Sequence, residues 1–114
     1  MKKLILLGLI LFSSYASVAY AETPHFSSYD QAVSYVQENY KADVINPTSK
    51  AIYRAEYYPA DGEGFLIIYF QSNPSKGYIY RGVPEEVWRE FKSADSKGKF
   101  YNAYIKGRYR FNLG

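Results

Sequence analysis

Residues Gly64 to Gln71 read GFLIIYFQ, a run that is apolar on both alternating faces. A strand with one face in water alternates apolar and polar residues, whereas a strand covered on both sides does not. The run therefore predicts a central strand with protein above and below it. Any fold for this chain must supply neighbours on both edges of that strand and cover on both of its faces.

Two further strands flank it. Ser49 to Tyr58 (SKAIYRAEYY) places Tyr53, Ala55 and Tyr57 on one face and Ile52, Arg54 and Glu56 on the other. Pro59-Ala60-Asp61-Gly62 supplies a turn, with fixed φ from proline and positive φ from glycine. Ser72 to Lys76 (SNPSK) is a second turn, and Gly77 to Gly82 (GYIYRG) is the third strand. There Tyr78 and Tyr80 share a face opposite Ile79 and Arg81. Asp43 to Thr48 (DVINPT) reads as a connector.

Two helices complete the pattern. Ser28-Tyr29-Asp30-Gln31 has the spacing of a capping box, and Tyr29, Val33, Val36 and Tyr40 follow at helical intervals towards an end near Ala42. Val83-Pro84 opens the second helix, since proline suits a first turn whose N–H groups need no partner. Val83, Val87, Trp88 and Phe91 form its apolar stripe. Glu85 and Glu86 stand early and Arg89 and Lys92 late, as the helix dipole favours. Gly98 is the expected stop. Lys99 to Phe111 (KFYNAYIKGRYRF) reads as a short helical turn followed by an edge strand. The fold class is α+β: a three-stranded antiparallel meander covered by a helix of the C-terminal half, with an extra N-terminal helix and an aromatic-basic tail.

The first residues carry a different message. Met1-Lys2-Lys3, the apolar stretch Leu4 to Phe12 and the small-residue ending Ala19-Tyr20-Ala21 have the pattern of an export signal cut after Ala21. The apolar stretch falls far short of the ~20 residues that cross a bilayer. A chain starting at Glu22 is expected in the periplasm or the medium. Residues 22–48 then hold the N-terminal helix and connector, and residues 49–111 the main domain. Small exported domains often rely on disulfides, but this chain has no cysteine. It has 14 Tyr, 7 Phe and 1 Trp instead, and large rings bury much area on few rotatable bonds.

Charge is polarised along the sequence. Glu22 to Glu63 holds seven acids and three bases, a net of −4; Gly64 to Gly114 holds nine bases and four acids, a net of +5. Either the two halves attract each other within the fold, or the C-terminal half faces an anionic partner. Catalytic chemistry finds little footing. His25 is the one histidine and sits in a predicted loose terminus. A nucleophile–histidine arrangement would depend on it. Glu85 and Glu86 diverge on a helix, and Glu85 with Arg89 is read as a surface ion pair. No catalytic or metal-binding residue is assigned.

The order of pieces from Ser49 to Phe111 carries a resemblance. Tyr78-x-Tyr80 runs into Gly82-Val83-Pro84 and a helix. Ala94-x-Ser96-x-Gly98, Phe100-x-Asn102 and Ile105-x-Gly107-x-Tyr109 follow. This resembles the KTSC domain, a family of short stand-alone bacterial proteins that also occurs at the C-terminus of some lysyl-tRNA synthetases. The resemblance implies a compact domain of about 60 residues, no cofactor, no established enzymatic activity, and a proposed contact with RNA. The first helix, Ser28 to Ala42, lies outside the family pattern.

The candidate binding residues are Tyr78, Tyr80, Arg81, Lys99, Asn102, Lys106, Arg108 and Arg110, with Asn102 entering through the family motif. Tyrosines would stack bases and cations would track phosphates. Alternation in the tail would align Lys106, Arg108 and Arg110 on one strand face. Two structural alternatives stand beside this. Tyr78 and Tyr80 would pack beneath Trp88 and Phe91 as core, and the tail cations would guard a solvated edge strand. Nucleic acid or another polyanion is one candidate partner; an envelope protein or glycan gripped by tyrosines is the other.

Overall fold

The computed structural model describes residues 25–113; the export signal read in residues 1–21 lies outside them. Helix α1 (Tyr29–Asn39) is followed by strands β1 (Asp43–Ile45), β2 (Ile52–Ala60), β3 (Glu63–Phe70) and β4 (Asn73–Pro84). Helix α2 (Glu85–Ser93), the short helix α3 (Lys97–Phe100) and a π-helical turn (Tyr101–Ile105) come last. The strands form one antiparallel sheet in the order β1-β2-β3-β4. The architecture is α+β, with one strand more than the three expected. Asp43–Ile45 is not a plain connector: it pairs Asp43, Val44 and Ile45 with Tyr57, Glu56 and Ala55.

β3 is central and covered on both faces, as its two-sided apolarity predicts. Leu66 and Ile68 point into a core with Ile52, Ala55, Tyr57, Val83, Trp88, Phe91 and Ile105. Ile67 points the other way, into a second core with Ala32, Val33, Val36, Tyr58, Ile79 and Phe111. α2 covers the first face and α1 the second. Trp88 is 3% exposed and Phe91 is wholly buried, so the predicted α2 stripe faces inward.

α1 starts on the predicted cap: Ser28 Oγ accepts from the Gln31 N–H at 3.1 Å. Gln31 reaches back to the Ser27 N–H (3.0 Å) rather than to that of Ser28, which shifts the capping box by one residue. The helix ends at Asn39, short of Ala42, because Tyr40 turns extended and leads into β1. Ala32, Val33 and Val36 are buried, but Tyr29 and Tyr40 at the two ends of the expected stripe are exposed.

Bulges account for most departures from strict alternation. The β2–β3 register shifts between Ile52 and Arg54, so Ile52, not Tyr53, joins Ala55 and Tyr57 in the core. Tyr53 is left outside. In β4, Phe70 pairs with Asn73 and Tyr69 with Gly77, which leaves Pro74, Ser75 and Lys76 opposite no residue of β3. A second shift lies between Tyr80 and Val83, where Gly82 takes a φ of 70°. One extra residue there turns both Tyr80 and Val83 towards the α2 core.

The β2–β3 turn is the dipeptide Asp61-Gly62, both at positive φ, the geometry of a tight hairpin. Pro59 belongs to β2, opposite Gly64. It lies beyond Tyr57, where β1 pairing stops, so its missing N–H breaks no bond to β1. Pro84 precedes α2 in extended conformation, one position earlier than a first-turn proline.

Gly98 does not stop α2; it lies inside α3. A Cβ there would come within 3.0 Å of Ala51 Cβ, so the glycine permits a close approach of α3 to the start of β2. α2 ends because Ala94 turns extended. Lys97 Nζ then donates to the carbonyls of Lys92 (3.0 Å) and Ala94 (2.6 Å). The tail is not a continuous edge strand either. Lys106 N–H closes the π-helical turn on Tyr101 O, and Gly107 takes a φ of 77°. The return to the sheet is a single bridge between Tyr80 and Arg110. Lys106, Arg108 and Arg110 are therefore not aligned along a strand face.

Gly64 offers a direct test of the hairpin. An added Cβ would collide with the backbone carbonyl oxygen of Tyr58, an atom that cannot yield. Gly64→Ala should cost ~1–3 kcal/mol or more through overpacking, read as a fall in the urea midpoint at unchanged slope. A midpoint equal to that of the parent would contradict this packing.

Candidate binding groove

β4 is an edge strand, and the tail covers only part of its outer side. Arg81 N–H donates to Tyr109 O at 3.1 Å, which fixes the side to which this stretch of backbone points. By strand alternation the N–H and C=O groups of Ile79 and Gly77 face the same way. Between this edge and the tail runs a groove of about 330 Å³. Lys76 to Tyr80 form one side, Gly107 to Asn112 the other, and Tyr29 of α1 contributes from the second sheet face.

The groove gathers half of the candidate residues. Tyr78, Tyr80, Arg108 and Arg110 line it; Arg81, Lys99, Asn102 and Lys106 do not. It adds Lys76, Tyr29 and Tyr109, which sequence reading did not place there. By sequence Lys76 falls in a turn, but the long bulge carries it to the strand edge. By helical spacing Tyr29 belongs to the buried stripe of α1, yet it is 48% exposed.

The two β4 tyrosines divide between core and surface. Tyr80 is half-buried, with its hydroxyl 2.6 Å from that of Tyr101. Burial first, and then this hydrogen bond, push its ionisation far above the ordinary phenol range. Tyr78 is 37% exposed and tilts against Phe70 at 5.4 Å. Lys76 Nζ sits 5.7 Å from the Tyr78 ring centroid and 3.7 Å from Asp30 of α1. Arg108 spends one donor on Ala103 O at 3.3 Å. The groove thus presents three cations and four tyrosines, with one carboxylate at its side.

A separate polar cluster fastens α1 to the sheet. The Glu56 side chain accepts from Gln37 Nε2 (3.0 Å), Tyr58 OH (2.7 Å) and Arg54 Nε (2.7 Å). Gln37 also donates to Tyr69 OH at 2.7 Å. Burial pushes the Glu56 carboxyl up, but the bonds from Gln37, Arg54 and Tyr58 outweigh it and hold it below its ordinary value. Every oxygen of this carboxylate is engaged, so the cluster anchors α1 and offers no open valence. Among the described residues, no group of three or more His, Cys, Asp or Glu is placed to hold a metal ion.

The KTSC domain family model matches residues 48–109, more than half of the chain. The chain belongs to the KTSC domain family. A protein of Tsukamurella paurometabola is 39% identical over 62 residues, spanning 54% of this chain and 87% of that relative. The crystal structure of a KTSC domain protein from Yersinia pestis superposes with a TM-score of 0.54 at 33% identity, covering 65% of this chain and all of the other. The KTSC match thus contains Lys76 to Tyr80 and Gly107 to Tyr109 of the groove, whereas Tyr29 and the whole of α1 lie before it.

The Glu56 cluster predicts acid lability. A carboxyl held below its ordinary value of 4.5 in the fold contributes stability above that value. The contribution is lost as pH falls through the lower, folded value. Thermal melts should be flat from pH 7 to 5 and then fall below pH 4.5. Glu56→Gln should lower stability by ~1–3 kcal/mol at neutral pH and flatten part of the acid fall. An acid fall identical in the variant would remove Glu56 from that role.

Proposed function

We propose that this KTSC domain chain is a non-catalytic binding module that holds a polyanion, the phosphate backbone of a nucleic acid, in the groove between β4 and the tail. The observation that carries the reading is the meeting of Lys76, Arg108 and Arg110 with Tyr29, Tyr78, Tyr80 and Tyr109 in one groove. Cations track a phosphate chain, and exposed ring faces stack bases at ~1–3 kcal/mol each. The RNA contact implied by the KTSC resemblance points the same way. One histidine, exposed and near the N-terminal side of α1, and no cysteine favour binding over catalysis. The N-terminal pattern supports work outside the cytoplasm.

One observation favours a second reading. Tyr29 and Tyr78 are 48% and 37% exposed, and open rings suit an envelope protein or glycan, which is the alternative partner. Salt separates the two. Binding of a labelled single-stranded oligonucleotide should weaken with a log–log slope near −2, about −0.7 for each of three phosphates neutralised. Docking on the exposed rings should barely respond to salt. Lys76→Ala/Arg108→Ala/Arg110→Ala should lower oligonucleotide affinity at least tenfold at low salt, with fluorescence anisotropy as the readout. Lys106→Ala, outside the groove, should not. Unchanged binding by the triple variant would rule out the polyanion reading. Export has its own check: protein recovered from envelope or medium should begin at Glu22 when its N-terminus is sequenced.

A further inference from the structure

The groove has one wall that the KTSC match does not supply. α1 precedes residue 48, and the Yersinia pestis domain aligns over its whole length with only 65% of this chain. Yet α1 is firmly seated. Ala32, Val33 and Val36 are buried against Ile67, Ile79 and Phe111. Gln37 bonds to both Glu56 and Tyr69. Phe26, just before the helix, packs on Phe111 of the tail at 6.0 Å and on Tyr35 at 5.4 Å. The first turn of α1 is therefore held beside the groove from both sides.

Two first-turn residues meet the site. Tyr29 lines the groove while remaining 48% exposed, so part of its ring is open to a ligand. Asp30 lies 3.7 Å from Lys76, one of the three groove cations. A ring and a carboxylate act in opposite senses on a polyanion. The ring adds attraction only for ligands that carry planar groups. The carboxylate competes with any phosphate for Lys76, whatever else the ligand carries.

We infer that α1 is a selectivity wall, resting on the groove reading above: Tyr29 favours polyanions bearing planar bases over bare polyanions, and Asp30 tempers attraction to phosphate as such. The ligand class is thus single-stranded nucleic acid with accessible bases, set apart from inorganic polyphosphate of the same charge. The wall belongs to this chain's added helix, so the discrimination does not depend on the KTSC segment alone.

The test compares two probes on the purified protein, a single-stranded oligonucleotide and an inorganic polyphosphate of matched charge. Tyr29→Ala should weaken oligonucleotide binding about tenfold, within the range of one lost base stack, and leave polyphosphate binding unchanged. Tyr29→Phe keeps the ring and should bind like the parent. Asp30→Asn should tighten both probes two- to threefold at low salt, with the gain fading as salt screens the exposed charge, an effect of about that size for a surface pair. Equal loss of both probes in Tyr29→Ala would show a merely structural tyrosine and overturn the inference, as would no loss of either. A parent protein that binds both probes equally would also overturn it. Insensitivity of the Lys76, Arg108 and Arg110 triple variant strikes the groove reading instead, so the two failures are distinguishable.

Discussion

The stack of Trp88 on Tyr57 is the contact on which the rest depends. Their ring centroids lie 5.3 Å apart with planes 12° from parallel. The stack joins α2 to the middle of the sheet, and the polar ends of both rings extend its reach. Tyr57 OH donates to Val83 O at 2.6 Å, which fixes the corner between β4 and α2. Burial there pushes the Tyr57 hydroxyl up to about 12. Trp88 Nε1 donates to Asp43 Oδ2 at 2.9 Å, and Lys92 Nζ reaches the same oxygen at 2.6 Å. The bonds from Lys92 and then Trp88 hold the Asp43 carboxyl below its ordinary range. One aromatic pair thus secures α2, β2, the β4 corner and the short strand β1.

From that pair a mesh of rings runs to the groove. Trp88 meets Phe91 at 5.9 Å, Phe91 meets Phe100 at 5.7 Å, and Phe100 meets Tyr104 at 4.8 Å. Tyr101, next in the chain, packs edge-on to both Phe70 (5.1 Å) and Tyr80 (5.9 Å). In a chain without cysteine, these contacts substitute for covalent staples. They also explain why the tail holds its place with a single bridge to β4. The π-helical turn is pinned by Ile105 in the core and by the Tyr80–Tyr101 hydroxyl pair. Groove residues on the tail are therefore carried by a packed platform.

Periodicity carried the sequence reading where strands are regular and failed where one residue is inserted. The two-faced run at β3, the shared face of Tyr78 and Tyr80, and the stripe on α2 all follow the expected period. The inward turn of Ile52 does not, because a bulge at Tyr53 resets the alternation. Short-range signals also have more than one cause. Gly98 marks a close approach rather than a helix stop, and Asp43–Ile45 is too short for alternation to announce a strand. In the groove, Tyr78, Tyr80, Arg108 and Arg110 were legible as an aromatic-basic concentration. Lys76, Tyr29 and Tyr109 were not, since a three-residue bulge, the seating of α1 on the second core and the bridge at Arg110 place them there.

The charge polarity of the chain has a physical account in contacts between its two halves. Acids of the N-terminal half meet bases of the C-terminal half at Asp30–Lys76 and Asp43–Lys92. The second of these carries a structural load through Trp88; the first joins exposed side chains and contributes little to stability. Among the described residues, Arg108 and Arg110 make no salt bridge. Attraction between the halves thus consumes the positive charge near α2 and leaves it unspent along the tail. Lys76, Arg108 and Arg110 thus gather at the groove, with the Asp30 carboxylate at one side of it.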